Sequence, residues 1–320
     1  MNDVEFDTTE WDQLWGFGRE NALRPGVAAN ASLENFWRTA FSAKGNTTRM
    51  LDVACGNGAL ARYLDHESAA ENRSIQYVGV DSARIKPPDA KVFKALIPEF
   101  LSNKNVEDVS FQSGHFDLVV SQFGFEYCRK DRVIELISDW LRPGGHIIFL
   151  VHSEASAITV ESKEILEQLR ILEESALIPL LYRLLDRLEA MTHSREQKDA
   201  EAEFLRHRIN STCSNLEEIA GYLHESQFLI ATMGLLLSLL ASERAHIPAT
   251  VRKENLVKLS NNLQYQQSRL RQQFDCALSA EEMTRIKALW SDYGFRDVTT
   301  EALICEGEEL GEVIRASKAN

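Results

Sequence analysis

The residues best suited to chemistry lie between 49 and 82. A β-type run, Arg49–Ala54, breaks at Gly56-Asn57-Gly58 and passes at once into a helix-type segment, Ala59–His66. Glycines let the backbone turn tightly and approach a ligand closely, and a helix start offers unpaired N–H groups. The spacing alone also describes a nicotinamide-dinucleotide turn. Asp52 separates the two readings, because a carboxylate inside the strand repels a pyrophosphate and favours a cationic, phosphate-free ligand. The plainer use of Asp52 is to cap the following turn. A second acid, Asp81, closes the run Tyr77-Val-Gly-Val-Asp81-Ser82. A carboxylate at the end of a second strand can accept hydrogen bonds from both ribose hydroxyls, or merely cap the next helix.

These residues need elements to hold them. From residue 48 to 153, short β-rich runs alternate with helix-type runs, the pattern of a parallel sheet covered by helices. The strand candidates are Arg49–Ala54, Tyr77–Val80, Lys91–Leu96, Phe116–Ser121 and His146–Val151. Residues 1–47 read as one or two helices. Trp11, Leu14 and Trp15 share a face, Arg24-Pro25-Gly26 makes a turn, and Leu33, Phe36, Trp37 and Ala40 form a second apolar face. Between 154 and 289 glycine nearly vanishes and leucines recur at helical spacing, as in Leu177, Leu180, Leu181, Leu184, Leu185 and Leu188. After this all-helical insertion, Gly294 turns the chain into two closing strands near Val298–Cys305 and Glu312–Ser317. The domains expected are therefore an N-terminal helical lid (1–47), an α/β core (48–153 and 290–320) and the insertion (154–289).

The ordered segments Leu51-Asp-Val-Ala-Cys-Gly-Asn-Gly58, Val78-Gly-Val-Asp-Ser-Ala83, Phe116–Tyr127 and Leu141-Arg-Pro-Gly-Gly-His-Ile-Ile-Phe-Leu150 resemble the class I S-adenosylmethionine (SAM)-dependent methyltransferases. Within these they resemble the broad group containing the quinone-biosynthesis C-methyltransferases. The resemblance implies a doubly wound α/β fold, a seven-stranded, mostly parallel sheet in order 3-2-1-4-5-7-6, with SAM over the carboxyl ends of the strands. It sets Gly56 and Gly58 beside the methionine portion and Asp81 at the ribose, with Asp52, Ala54, Asn57 and Ser82 of the same segments as further candidate cofactor contacts. Ser121 and Gln122 fall near the sulfonium and methyl group, unless they serve only loop hydrogen bonding. For adenine two placements stand: Asn105-Val106 after the third strand, or Leu96 and Ile97 if Lys91–Leu96 is that strand.

Methyl transfer from a sulfonium is an in-line displacement, so the protein mainly aligns reactants and excludes water. A general base is needed only where the acceptor must lose a proton. The candidates are His152, Glu126 and Tyr127. His152 is preferred because its unperturbed pKa is near neutrality, and a merely hydrogen-bonded strand-end histidine is the alternative. Glu126 has a second use, pairing with the cofactor ammonium or with Arg19. The N-terminal Trp15-Gly-Phe-Gly-Arg19 reads as a lid, with Trp15 or Phe17 shielding the site and Arg19 on the SAM carboxylate. An amphipathic helix packed on the sheet is the other reading.

Composition bounds the partners. The 320 residues carry a formal charge of −13, which disfavours a phosphate backbone as partner and leaves small molecules or proteins, of which a small-molecule acceptor is the first expectation. The five cysteines are widely spaced with no CxxC pair, so neither a disulfide framework nor a metal centre is expected. No signal peptide or membrane span is read, and a cytoplasmic setting is expected. The helical insertion has three readings: part of the substrate pocket, a homodimer surface, or a platform for a protein substrate. A nicotinamide-dependent oxidoreductase and a non-catalytic scaffold are the competing classes. Asp52 argues against the first, and intact Gly56, Gly58 and Asp81 against the second.

Overall fold

Alternation of side chains along each strand sends one set of residues to each face of a sheet. In the run Arg49–Val53 (β1), Met50 and Asp52 share one face, and Leu51 and Val53 the other. The computed structural model describes residues 8–19, 27–44, 47–70, 73–191, 199–241 and 246–320. The turn expected at Arg24-Pro25-Gly26 lies outside the described residues.

β1 pairs in parallel with Ile75–Asp81 (β2) and Phe116–Gln122 (β4), β2 with Leu96–Ser102 (β3), and β4 with Leu141–Val151 (β5). Phe295–Cys305 (β6) and Glu308–Lys318 (β7) form an antiparallel hairpin, and β7 pairs antiparallel to β5. The order is β3-β2-β1-β4-β5-β7-β6, as the resemblance implied. Glu306 and Gly307 join the hairpin with φ of 52° and 90°, the two positive values that a tight turn between twisted strands requires.

The third strand corrects the expectation of Lys91–Leu96. Ala90–Val92 is a 3-10 turn capped by Asp89, and the strand begins only at Leu96. Asp65 explains the shift: its Oδ1 accepts the N–H groups of Lys94, Ala95 and Leu96 at 2.8, 2.7 and 3.0 Å. Pro98 sits inside β3 because the strand lies at the sheet edge, where a missing donor faces no partner strand.

Among the helices, Thr9–Gly16 is α1 and Val27–Ser42 is α2. α2 and Ala59–Ala70 (α3) cover one face. There Leu33, Trp37, Phe41, Leu60 and Leu64 pack on Met50, Tyr77, Leu118, Val120 and Ile148. Lys130–Trp140 (α4) covers the other face, with Val133, Ile134, Ile137 and Trp140 against Leu51, Val53, Val119 and Phe149.

The chain divides into two compact units, the described residues up to Val160 with those from Gln272 onward, and Glu161–Arg271. The second unit contains most of Ala157–Glu174 (α5), Leu177–Met191 (α6), Ala200–Ala220 (α7), Gln227–Leu237 (α8) and most of Ala249–Cys276 (α9). Its core joins Leu177, Leu181, Leu184 and Leu185 of α6 to Leu205, Ile209 and Leu216 of α7 and Leu229, Met233 and Leu236 of α8. Asp199 ties α6 to α7: it accepts from Arg187 Nε at 2.8 Å and from the Ala202 N–H at 2.8 Å. The last helix, Ala280–Asp292 (α10), belongs to the first unit, where Met283, Ile286 and Trp290 pack with Phe125 and Phe149.

Candidate active site

Below the turn after β1 lies a buried acid. The Asp52 Oδ2 accepts a 2.5 Å hydrogen bond from Tyr77 Oη, while its Oδ1 is buried with no hydrogen-bond partner. Burial raises its pKa to about 8. The tyrosine opposes that rise and the charge of Asp81 adds to it. The turn itself runs through Ala54, Gly56 and Gly58 with φ of 56°, 52° and 82°. Gly56 must be glycine for a second reason: a Cβ there would stand 2.7 Å from the Trp15 ring.

At the end of β2, the Asp81 Oδ2 accepts the Gly56 N–H at 2.8 Å and its Oδ1 the Ala83 N–H at 2.9 Å. The carboxylate thereby pins the glycine turn to β2. Burial lifts its pKa to about 6 against these two hydrogen bonds. Ser82 is exposed. Asn57 is fully committed within the protein. Its Nδ2 donates to the carbonyls of Trp15 (3.1 Å) and Arg19 (2.8 Å), and its Oδ1 accepts the Lys86 N–H at 2.6 Å.

These bonds bring α1 over the turn. Lys86 Nζ donates to the Gly16 carbonyl, the Arg84 N–H to Asp12 Oδ1, and Trp11 Nε1 to Gln272 Oε1. Trp15 is buried with Leu14, Cys55, Ala83 and Ile85. Of the two shielding aromatics expected, Trp15 lies on the turn, whereas Phe17 is 71% exposed.

The ends of β4 and β5 form the second wall. Ser121 Oγ donates to the Val53 carbonyl at 2.8 Å and accepts the Phe125 N–H at 3.0 Å, and Gln122 Oε1 accepts from Trp37 Nε1 at 2.7 Å. Ser121 thus ties the loop after β4 to the end of β1, and Gln122 ties the end of β4 to α2. Glu126 is buried and its Oε1 accepts the His152 N–H at 2.7 Å, a partner other than Arg19, while Oε2 is buried with no hydrogen-bond partner. Burial raises Glu126 to about 7, offset by backbone N–H groups and by Lys130. Tyr127 meets Trp11 edge-on at 5.5 Å and hydrogen-bonds Cys276.

His152 stacks on Phe123 at 4.3 Å, with its Nδ1 buried and without a partner. Burial drives its pKa down to about 3, which corrects the expectation of a near-neutral base. The same wall contains a more basic group in Glu126.

At the β3 end, Ser102 pairs with Asp81, and Asn105-Val106 follows shortly after, with Asn105 exposed and bonded to Asp108 at 3.0 Å and Val106 buried. Leu96 and Ile97 pair with Ile75 and Gln76 at the opposite end of the sheet. That position removes them from the adenine side. Tyr77, Lys86 and Gly124 were not singled out from the sequence. Gly124 allows close approach of the loop, since a Cβ there would stand 2.4 Å from the Ala54 Cβ.

Residues 51–149 match the family model described as methyltransferase domain. Similar solved structures include a 1,6-didemethyltoxoflavin N1-methyltransferase from Burkholderia thailandensis, bound to its namesake compound and S-adenosylhomocysteine. It is 16% identical, with 45% of this chain and 60% of that one covered and a TM-score of 0.35. A SAM-dependent methyltransferase from Mesorhizobium loti is 22% identical over 34% and 48%, TM-score 0.27. The carbon methyltransferase CurJ is 13% identical over 98% and 59%, TM-score 0.43. This chain thus spans three fifths or less of each. No curated protein matches it. Residues 51–149 are thus similar to a methyltransferase domain, and the sheet has the strand order that the resemblance to class I methyltransferases implied. Among the described residues no helix is long and apolar enough to cross a membrane.

Proposed function

We propose that this chain transfers the methyl group of SAM to a small-molecule acceptor that must give up a proton. The carrying observation is the pair of buried acids at the glycine turn, Asp52 and Asp81, one with an oxygen left without a partner. A buried polar atom without a hydrogen bond costs about 1–3 kcal/mol, and a ligand ammonium would satisfy it. A pyrophosphate would meet the Asp81 carboxylate, which already holds the Gly56 N–H of the turn, and be repelled. The residues therefore fit a nucleoside bearing positive charge. Asp52, Ala54, Gly56 and Gly58 would hold the methionine portion, with Asn57 bracing the turn from within the protein; Asp81 and Ser82 would hold the ribose, and Asn105-Val106 the adenine. Ser121 and Gln122 would shape the wall beside the sulfur. When bound, SAM supplies an electrophilic methyl group.

The chain's own residues handle alignment and the proton. Glu126 is the base of choice. Its Oε2 is unpaired, and a pKa of about 7 matches neutral conditions, where general-base action contributes about 10²–10⁴-fold. His152, kept neutral by burial, fixes Glu126 through its backbone N–H, and its unpaired Nδ1 can orient the acceptor. Tyr127 and Trp11 form the aromatic side of that wall. α1 is read as the lid that excludes water, through Trp15 on the turn and Arg19 at its end.

The test is label transfer. The protein is incubated with methyl-tritiated SAM and a small-molecule extract, and label is counted in the organic fraction. Transfer that falls about 100-fold in Glu126→Gln, with SAM affinity retained, is expected. Label recovered only in protein, or full transfer by the variant, would overturn the acceptor and base assignments respectively.

A further inference from the structure

The α2 side of the sheet has a hollow of about 460 Å³ whose lining includes Phe36, Lys44, Ile148, Leu303, Ile304 and Arg315. Ile148 pairs with Arg315 three residues before the end of β5, and Leu303 and Ile304 pair with Gly311 and Glu309 of β7, so the hollow runs along the β5, β7 and β6 side of the sheet under α2. The volume falls within the range of small-molecule sites, about 300–1,000 Å³.

Two features of this lining call for a ligand. Its floor and walls are apolar, and Ile304 is left 55% exposed beside it. Its charged groups are both cations, in a chain whose net charge is −13. Lys44 is disfavoured as an ammonium by burial and by the nearby charge of Arg315, and no ion pair joins it to an acid among the described residues. Arg315 lies 5.5 Å from the Phe36 ring centroid and gives one donor to Glu301, which stands outside the lining. Glu301 meets only one donor of Arg315, so the remaining guanidinium donors and the Lys44 ammonium are left for an anion in the hollow.

We infer that this hollow binds a small amphiphilic monoanion, its carboxylate between Lys44 and Arg315 and its aliphatic or aryl body along Phe36, Ile148, Leu303 and Ile304. Ser32, Asn35 and Thr39 supply a polar rim on α2. The donor types suit a carboxylate: a guanidinium offers a planar fork and an ammonium a point charge.

Titration calorimetry of the full chain with sodium decanoate, below its micelle concentration, tests this, with decyltrimethylammonium as the opposite-charge control. Decanoate is expected to saturate one site, and the control to give no saturable heat. Lys44→Gln and Arg315→Gln should each weaken decanoate about tenfold or more, while far-UV circular dichroism and SAM binding stay unchanged. Absence of saturable decanoate binding, unchanged affinity in both variants, or equal binding of the two amphiphiles would each overturn the assignment.

Discussion

Asp52 sets the chemistry at the scale of single residues. With a pKa of about 8 it carries its proton at neutral pH, because burial disfavours the carboxylate more than Tyr77 stabilises it. A ligand ammonium placed against it reverses that balance, so binding must expel the proton. Calorimetry of SAM binding at pH 7 in buffers of different ionisation enthalpy should therefore register release of about one proton. The Asp52→Asn variant should release none, and the same release from that variant would contradict the role given to Asp52. Gly56, Gly58 and Asp81 were legible in the sequence because their roles are local: a turn, a close approach, an acid ending a strand. The Tyr77–Asp52 hydrogen bond was not. It depends on the register between β1 and β2, which neither strand encodes alone. His152 misled for a related reason, since its pKa of about 3 comes from its surroundings and not from its type.

Among the elements, α1 is the one that bears on the site. It is tied to the glycine turn by Asn57 and sealed by Trp15, and the rest of its ties (Asp12, Gly16, Trp11) are peripheral. As a lid, it would act on ligand escape more than on the stability of the sheet. Stopped-flow displacement should find SAM leaving Trp15→Ala about tenfold faster or more, with near-native far-UV circular dichroism. An unchanged off-rate would make α1 a packed helix and nothing more. The elements also mark where sequence reading ended. β3 was set several residues early because Lys91–Leu96 has strand-like composition, while Pro98 disguised the true strand and Asp65 held the segment before it. α10 shares the polar, leucine-bearing character of the insertion, so nothing in its composition announced that its Met283, Ile286 and Trp290 complete the sheet's core.

For the whole molecule, the sheet order and the run of motifs agree: the order is the one the resemblance implied, and the matched segment spans β1 to β5. The helical unit from Glu161 to Arg271 has its own leucine core, and its long amphipathic helices were plain from periodicity alone. Charge acts at this scale too. A chain of −13 gathers buried acids Asp52, Asp81 and Glu126 at the carboxyl ends of neighbouring strands or just past them, and a cationic ligand placed among them would draw them toward the carboxylate form, which a phosphate would not. The most direct measurement is calorimetric titration of the purified chain with SAM and, separately, with NAD. The account predicts a saturable one-site isotherm for SAM, lost in Asp81→Asn, and no binding heat for NAD. Tight binding of NAD, or SAM binding that survives Asp81→Asn undiminished, would contradict it.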